Sequence, residues 1–571
     1  MKKTLIAIAA LAAAGCSFLD KEPKVVSADK YYNTVEDAQN ALYAVYGTLN
    51  SREVYGEYYS VNFSLNDDLS FRSGNSNIDE DYYVHNPSNP RIYEVWWTLY
   101  QGINNANCFI EAMADKPELD ADGLMAAQAR FLRAYYHFLL AQAWGDVPLM
   151  ESAAKSYHQT NVAKTDQADV LAWCVAQMQQ AIAAYPVEVE GAPSKLSQDA
   201  MKGILARVCL FAAGKTVECS AETKTAYLTL ADSMCRDIVQ SGRHTLNPDY
   251  SNVFIRYISN VYDTDYRDSM WEVDFYGDRS AKGYTNGYIG NINGIYSHTT
   301  ETLTDDQWVC NTSYARHKST LLLWDMYMED DRTANEKGLA FITDLRQEWV
   351  LPPYHYNGRK STETPMCYPY GGNPGDVREL KGCIDKVPYV QNKETTNDNP
   401  LVMPSCRYFG CFRREVQYEG VQGYQVATAI NYPLLRYSDV LLMLAEAENE
   451  LHQGPTQEAY DAIKQVRDRA GIGTLDLETY NYDSFLKFVR NERGRELPYE
   501  SLRKYDLFRW GIFLDRMNEM GISASGDSRW DSYYKQFAQK IAGNVQAKHI
   551  YLPIPTIELG VNTLLKQNPL W

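Results

Sequence analysis

The sequence predicts a mainly α protein, made of stacked TPR-like helix–turn–helix pairs that form a scaffold, with long loop-rich excursions and a few short strands. Two observations carry that prediction. Apolar residues recur at helical spacing in one segment after another, and Gly, Pro or Asp closes each segment. The paired units span about 30–40 residues, the scale of a tetratricopeptide unit. The tetratricopeptide consensus is absent, so the likeness is one of shape. At 571 residues the chain exceeds one typical core, which implies one large α-rich body or two closely packed lobes.

The chain opens with Lys2 and Lys3, then an apolar run from Thr4 to Ala14 that is too short to span a bilayer. It ends in Ala13-Ala14-Gly15-Cys16, which resembles a bacterial lipobox with Ala13 in place of the usual Leu. A lipoprotein signal peptide over 1–15 is therefore expected, with Cys16 as the lipidated residue and a tether over 16–30. A helical region follows over 31–247. Asp37 to Leu49 sets Ala41, Val45 and Leu49 on one face, and Tyr93 to Met113 is the next helix. Leu124 to Trp144 is apolar on more than one side, as in a helix packed between neighbours, and Gly145-Asp146-Val147-Pro148 stops it. Ala168 to Ala184, Gln198 to Ala213 and Ala221 to Val239 continue the alternation.

Between 248 and 432 helical periodicity is sparse, and Gly, Pro, Asn and Tyr are frequent. Met270 to Phe275 alternates like a short strand, Asp278 to Ser313 is a long excursion, and Leu321 to Asp330 is a helix. Loops of this kind on a rigid scaffold are where binding residues concentrate. Helices return over 433–571, with Ser438 to Leu451, a turn at Gly454-Pro455, and Ala459 to Ala470 closed by Gly471.

Composition narrows the function. Net charge is −18, which argues against nucleic acid, and no Lys/Arg run suggests a polybasic membrane contact. The 44 Tyr beside 11 Trp suit surfaces that stack and hydrogen-bond together. No C-x-x-C pair, zinc-ligand spacing or EF-hand loop occurs, so no metal ligand set and no cofactor is assigned; Asp-rich loops leave a structural Ca²⁺ open. Spacing allows a Cys406–Cys411 or Cys367–Cys383 disulfide without establishing either. G-x-S-x-G, P-loop and H-E-x-x-H motifs are absent.

An ordered set of short motifs runs through nearly the whole chain. It includes Cys16-Ser17-Phe18-Leu19-Asp20, Asn66-Asp67-Asp68, Trp97-Thr98-Leu99-Tyr100, Arg130-Phe131-Leu132-Arg133-Ala134 and Gly145-Asp146-Val147-Pro148. Asp330-Asp331-Arg332, Leu435-Arg436-Tyr437-Ser438-Asp439, Glu492-Arg493-Gly494-Arg495-Glu496-Leu497, Arg509-Trp510-Gly511, Leu552-Pro553-Ile554-Pro555 and Gln567-Asn568-Pro569 follow. Together they resemble the SusD/RagB family of nutrient-binding outer-membrane lipoproteins. The resemblance implies a non-enzymatic, surface-exposed lipoprotein that binds a glycan beside a SusC-like TonB-dependent transporter. A minority of that family, resembling RagB, handles peptides.

In the family the binding platform resembles an arc from two loops. Those places here hold Phe71, Arg72, Asn75, Tyr82 and Tyr83 in the first, and Tyr284, Tyr288, Tyr296 and Trp308 in the second. Trp308, in a polar Asn/Thr-rich loop with no evident core to fill, is the strongest candidate. Trp97, Trp271, Trp324 and Trp510 lie on amphipathic or alternating patterns and are expected in the core. Glu492, Glu496 and Glu500 invite a glycoside hydrolase reading, but interleaved Arg493 and Arg495 point to a charge network instead, and no catalytic residue is assigned. Asp67 and Asp68 read as a loop-capping pair.

Overall fold

The structure is a computed structural model that describes residues 31–74, 78–187, 191–275, 287–296, 313–328, 344–352, 354–356, 366–369, 378–379, 405–414, 428–473 and 477–571. The signal segment, Cys16, Asn75, Tyr284 and Trp308 lie outside the described residues, as does Asp330-Asp331-Arg332.

Helix α1 (Val35–Tyr46) begins at a capping box: Thr34 Oγ1 accepts from the Asp37 N–H, and the Asp37 carboxylate accepts from the Thr34 N–H. Two π-helical stretches, Arg52–Gly56 and Tyr58–Phe63, lead to strand β1 (Ser70–Arg72). Helix α2 (Pro90–Asp115) starts where Asn89 Oδ1 accepts from the Arg91 and Ile92 N–H groups, with Pro90 at the first helical position. It buries Ile92, Val95, Trp96, Leu99, Ile103, Ala106 and Phe109. Trp97 therefore faces outward at 48% exposure, which corrects its expected place in the core: the inward position belongs to Trp96, one residue earlier. Trp271, Trp324 and Trp510 are buried as expected.

Helix α3 (Leu124–Trp144) is buried almost all round over its second half. Gly145 ends it at φ 76°, where a Cβ would stand 3.3 Å from the Tyr551 ring. Next come α4 (Gln167–Ala184), α5 (Gln198–Ala212) and α6 (Ala221–Ser241). Helix α7 (Tyr250–Ser259) lies in the stretch expected to be loop-rich. Asp249 caps it at the Ser251 N–H, and Tyr250, Val253, Phe254, Tyr257 and Ile258 form its buried stripe, a helical period too short to stand out among loops.

The excursion region supplies β2 (Ser269–Val273), α8 (Ile289–Ile292), β3 (His317–Ser319), α9 (Leu321–Met328) and α10 (Leu345–Val350). Strands β4 (Tyr354–Tyr356), β5 (Met366–Pro369) and β6 (Arg378–Glu379) form an antiparallel sheet. Strand β7 (Tyr432–Arg436) pairs antiparallel with β2 and runs into α11 (Tyr437–His452). The chain finishes with α12 (Gln457–Arg469), α13 (Tyr482–Glu496), α14 (Arg503–Arg509), α15 (Phe513–Gly526), α16 (Lys535–Asn544) and α17 (Thr556–Val561). The left-handed residue closing α11 is Gln453, at φ 53°, just ahead of the expected Gly454-Pro455 turn.

Each of α1 to α6 packs on the next, which is the stacking the alternation predicts. Helix α6 then takes α11 as its outer neighbour, and α11 packs on α12 and α13. Helix α5 meets β7 so closely that a Cβ at Gly203 would overlap Leu435 at 2.4 Å. Cys406 and Cys411 are separate buried thiols, so the bridge that their spacing allows does not form. Cys406 faces Asp531 and Lys318, whereas Cys411 faces Glu500 and Arg436. Cys383 lies outside the described residues.

Candidate functional site

Asn66-Asp67-Asp68 builds the first loop. Asp67 Oδ1 accepts from the Leu69 and Ser70 N–H groups at 2.8 and 3.0 Å, turning the chain into β1. Asn66 Oδ1 accepts from the Arg72 N–H, and its amide donates to Asp81. Asp68 is fully buried and accepts from Arg503 through both oxygens, at 2.8 and 2.7 Å, and from Arg516 at 2.8 Å. Its carboxyl is held below the usual range: burial pushes it up, and Arg503 and Arg516 outweigh that. The loop is thereby fixed to α14 and α15.

Strand β1 pairs antiparallel with β3, placing Phe71 opposite Lys318 and Arg72 opposite His317. Ser73 adds bonds from its N–H and hydroxyl to the Arg316 carbonyl, at 2.7 and 3.1 Å. The first loop and the end of the second excursion, more than 200 residues apart in sequence, therefore meet on one two-stranded ladder.

Four first-loop candidates support this ladder and offer no open face, which corrects their expected role as platform. Phe71 is 0% exposed and packs on Trp530. Arg72 is buried and paired with Asp81 at 2.8 Å. Tyr83, held at φ 54°, packs on Phe513 and His549, and its hydroxyl donates to the Asn66 carbonyl. Tyr82 donates to the Gly74 carbonyl at 2.5 Å, with Lys540 over its ring. The covering groups come from the last third of the chain, so local sequence does not announce them.

The second excursion splits. Tyr288 donates its N–H to the Gly56 carbonyl, and Arg52 lies 4.6 Å over its ring, which draws it towards Tyr58. Tyr296, beyond the other end of α8, stacks on Tyr408 at 6.3 Å and 22°. The Asn291 carbonyl takes the N–H groups of Tyr314 and Ala315, and the Ile292 carbonyl that of Arg316. Ala315 sits at φ 44°, a left-handed conformation that is uncommon for alanine. This turn sets Tyr314 and Arg316 beside the ladder, with the guanidinium 5.0 Å over the Tyr314 ring. Lys318 lies 3.0 Å from the Tyr408 ring centre and 4.9 Å from that of Tyr534.

Tyr314, Arg316, Lys318, Tyr408 and Tyr534 were not candidates from sequence. Tyr314 and Arg316 fall just past Ser313, where the Gly/Asn/Tyr-rich composition ends. Tyr534 follows Ser525 to Ser532, a Ser- and Asp-rich stretch interrupted by Trp530.

The carboxylate cluster is structural. Arg346, Arg467 and Arg495 all bond to Glu492; Arg346, Arg436 and Arg469 bond to Glu496; Glu500 pairs with Arg436. Glu492 and Glu496 are 0% exposed, which removes them from contact with any substrate.

Fold and site together define a helical-repeat scaffold with a Tyr- and cation-lined surface built on loops. Two family models match the sequence: the SusD family over residues 385–571, and one described as starch-binding, associating with the outer membrane, over 17–210. SusD-like protein P25 of Formosa agariphila is 22% identical, the match covering 96% of this chain and 94% of that one. SusD-like protein P2 of the same organism is 23% identical over 87% and 88%. A SusD homolog from Bacteroides thetaiotaomicron superposes with a TM-score of 0.79 at 24% identity, covering 96% of this chain and 99% of that chain. A laminarin-binding SusD-like protein superposes at 0.64 with 19% identity, over 95% and 100%. The chain belongs to the SusD family, a non-catalytic family associated with the outer membrane.

Proposed function

We propose that this protein is a cell-surface lipoprotein, anchored through Cys16, that captures an oligo- or polysaccharide and delivers it to a SusC-like TonB-dependent transporter. The observation that carries the reading is the meeting of both loops at the β1–β3 ladder, where Arg316 lies beside Tyr314 and Tyr296, and Tyr296 stacks on Tyr408. Sugar rings stack C–H faces on such aromatics and pair their hydroxyls with neighbouring donors. Trp308, Tyr284 and Asn75 complete the surface in this proposal. The laminarin-binding neighbour and the starch-binding family model support glycan as the ligand.

Retention on glycan affinity gels without release of reducing ends is the expected result. Sustained product formation would restore the hydrolase reading, and copurifying peptides with indifference to every glycan would establish a RagB-like peptide receptor. Trp308→Ala and Tyr296→Ala should each weaken binding by about 1–3 kcal/mol, as hot-spot aromatics do. Unchanged affinity by calorimetry in a folded variant removes that residue from the site. Cys16→Ser should move the protein from the membrane to the soluble fraction and abolish palmitate labelling; a variant that stays labelled excludes Cys16 as the anchor.

A further inference from the structure

Cations in the interior of this protein are commonly matched by acids. Arg346, Arg436, Arg493 and Arg503 each meet at least one carboxylate within 3 Å. Arg72, inside the candidate site, is answered by Asp81. Arg316 and Lys318 break that pattern. Among the described residues neither forms an ion pair, and what they touch instead is tyrosine. Lys318 is 2% exposed, with its ammonium held between the Tyr408 and Tyr534 rings. Arg316 is half-buried, and the positive charge of Arg72 adds to its own.

Withholding a counter-ion from a desolvated cation is costly, and a chain of net charge −18 does not lack acids to supply one. Asp531, the acid within electrostatic reach of Lys318, uses Oδ1 to cap the Tyr533 and Tyr534 N–H groups at 2.9 and 2.8 Å. The Tyr296–Tyr408 stack joins the two basic side chains: Arg316 adjoins Tyr296, and Lys318 lies over Tyr408. Burial holds the Lys318 ammonium well below its ordinary value, so the uncompensated positive charge on this aromatic strip is that of Arg316. A neutral sugar needs the strip and not the charge.

We propose, resting on the glycan-binding reading above, that the saccharide this surface takes is anionic, with a carboxylate or sulfate group of the glycan engaging Arg316. A guanidinium suits either group, because its fork of N–H donors matches paired oxygens.

Calorimetry on the full chain decides it, with polygalacturonate, alginate, hyaluronate and chondroitin sulfate, each beside its carboxyl-reduced or desulfated counterpart, and with neutral laminarin and starch. At least one acidic polymer should bind, and its neutralised counterpart should bind about tenfold more weakly or worse. Which counterpart loses affinity tells a carboxylate from a sulfate. Arg316→Gln should reproduce a loss of about tenfold for the acidic polymer while leaving its neutralised counterpart within about twofold. Raising NaCl should weaken the unaltered protein in parallel, a readout that requires no variant to fold. Preference for neutral polymers, with Arg316→Gln and salt without effect, overturns the anionic proposal and leaves the glycan receptor standing. Failure of every polymer, acidic and neutral, overturns both.

Discussion

Replacing Glu496 by Gln is expected to destabilise the fold by about 3–5 kcal/mol, because it strips one partner from a buried ion network. Glu496 is 0% exposed and faces Arg346 at 3.2 Å, Arg436 at 2.8 Å and Arg469 closer still. An amide would leave those guanidinium groups short of negative charge and aim its own N–H donors at them. Burial on its own would raise the Glu496 carboxyl; Arg469, Arg436 and Arg346 overcome that and lower it from 4.5 to about 2, and Glu492 is likewise held at about 2. The folded-state value lies below the unfolded one, so this stabilisation is fully present above the unfolded value and is lost as pH falls through the folded one. Denaturant midpoints of the unaltered protein should therefore fall steeply between about pH 5 and 2, and Glu496→Gln should flatten that fall. A variant with an unchanged midpoint at pH 7 would show the network to be dispensable. Arg529, whose pair with Asp325 is 46% and 42% exposed, sets the contrast: Arg529→Ala should cost no more than about 1 kcal/mol.

Trp144→Ala should cost about 3–5 kcal/mol, the range for truncating a fully buried tryptophan. Trp144 ends α3, where its ring meets Phe63 and Trp96 edge-on at 6.5 and 5.5 Å. Its Nε1–H donates to the Pro553 carbonyl at 3.0 Å, while its own carbonyl accepts from Asn568 at 2.7 Å. Leu552 adds a bond from its N–H to the Ala143 carbonyl at 2.8 Å. The substitution thus opens a cavity and also frees the C-terminal segment from the scaffold. Thermal unfolding and hydrogen exchange over 552–568 should both report the loss; protection unchanged there would mean that Asn568 and Leu552 hold the segment by themselves.

The helices were legible because burial imposes a period. The buried stripe of α2 follows the helical turn, and α3 begins and ends at the residues that its pattern and Gly145 predict. Trp97 shows the resolution of that reading: a one-residue difference in facing separates it from Trp96, and a broad apolar stripe does not fix it. The site was legible in place and not in detail. The two loops were identified apart, and their union depends on the β1–β3 ladder, a long-range pairing that neither short strand signals locally. Phe71, Tyr82 and Tyr83 look like platform residues until Trp530, Lys540, Phe513 and His549 arrive from the other end of the chain to cover them. Arg316 was invisible for a related reason. An arginine without an acid partner is a fact about its surroundings, and no spacing in the sequence records it.

The packing of α6 on α11 bears on how this architecture changes over time. Residues 242–436 connect two neighbouring helices of the stack, so the two ends of that long insertion are anchored close together. A segment tethered in this way alters little of the scaffold's loop-closure entropy when its length or composition changes. Exchanging the loops of that insertion, with Asp268, Arg346 and Arg436 kept because they complete the ion network, is thus a route to a new ligand preference that leaves the stack and the docked C-terminal segment untouched.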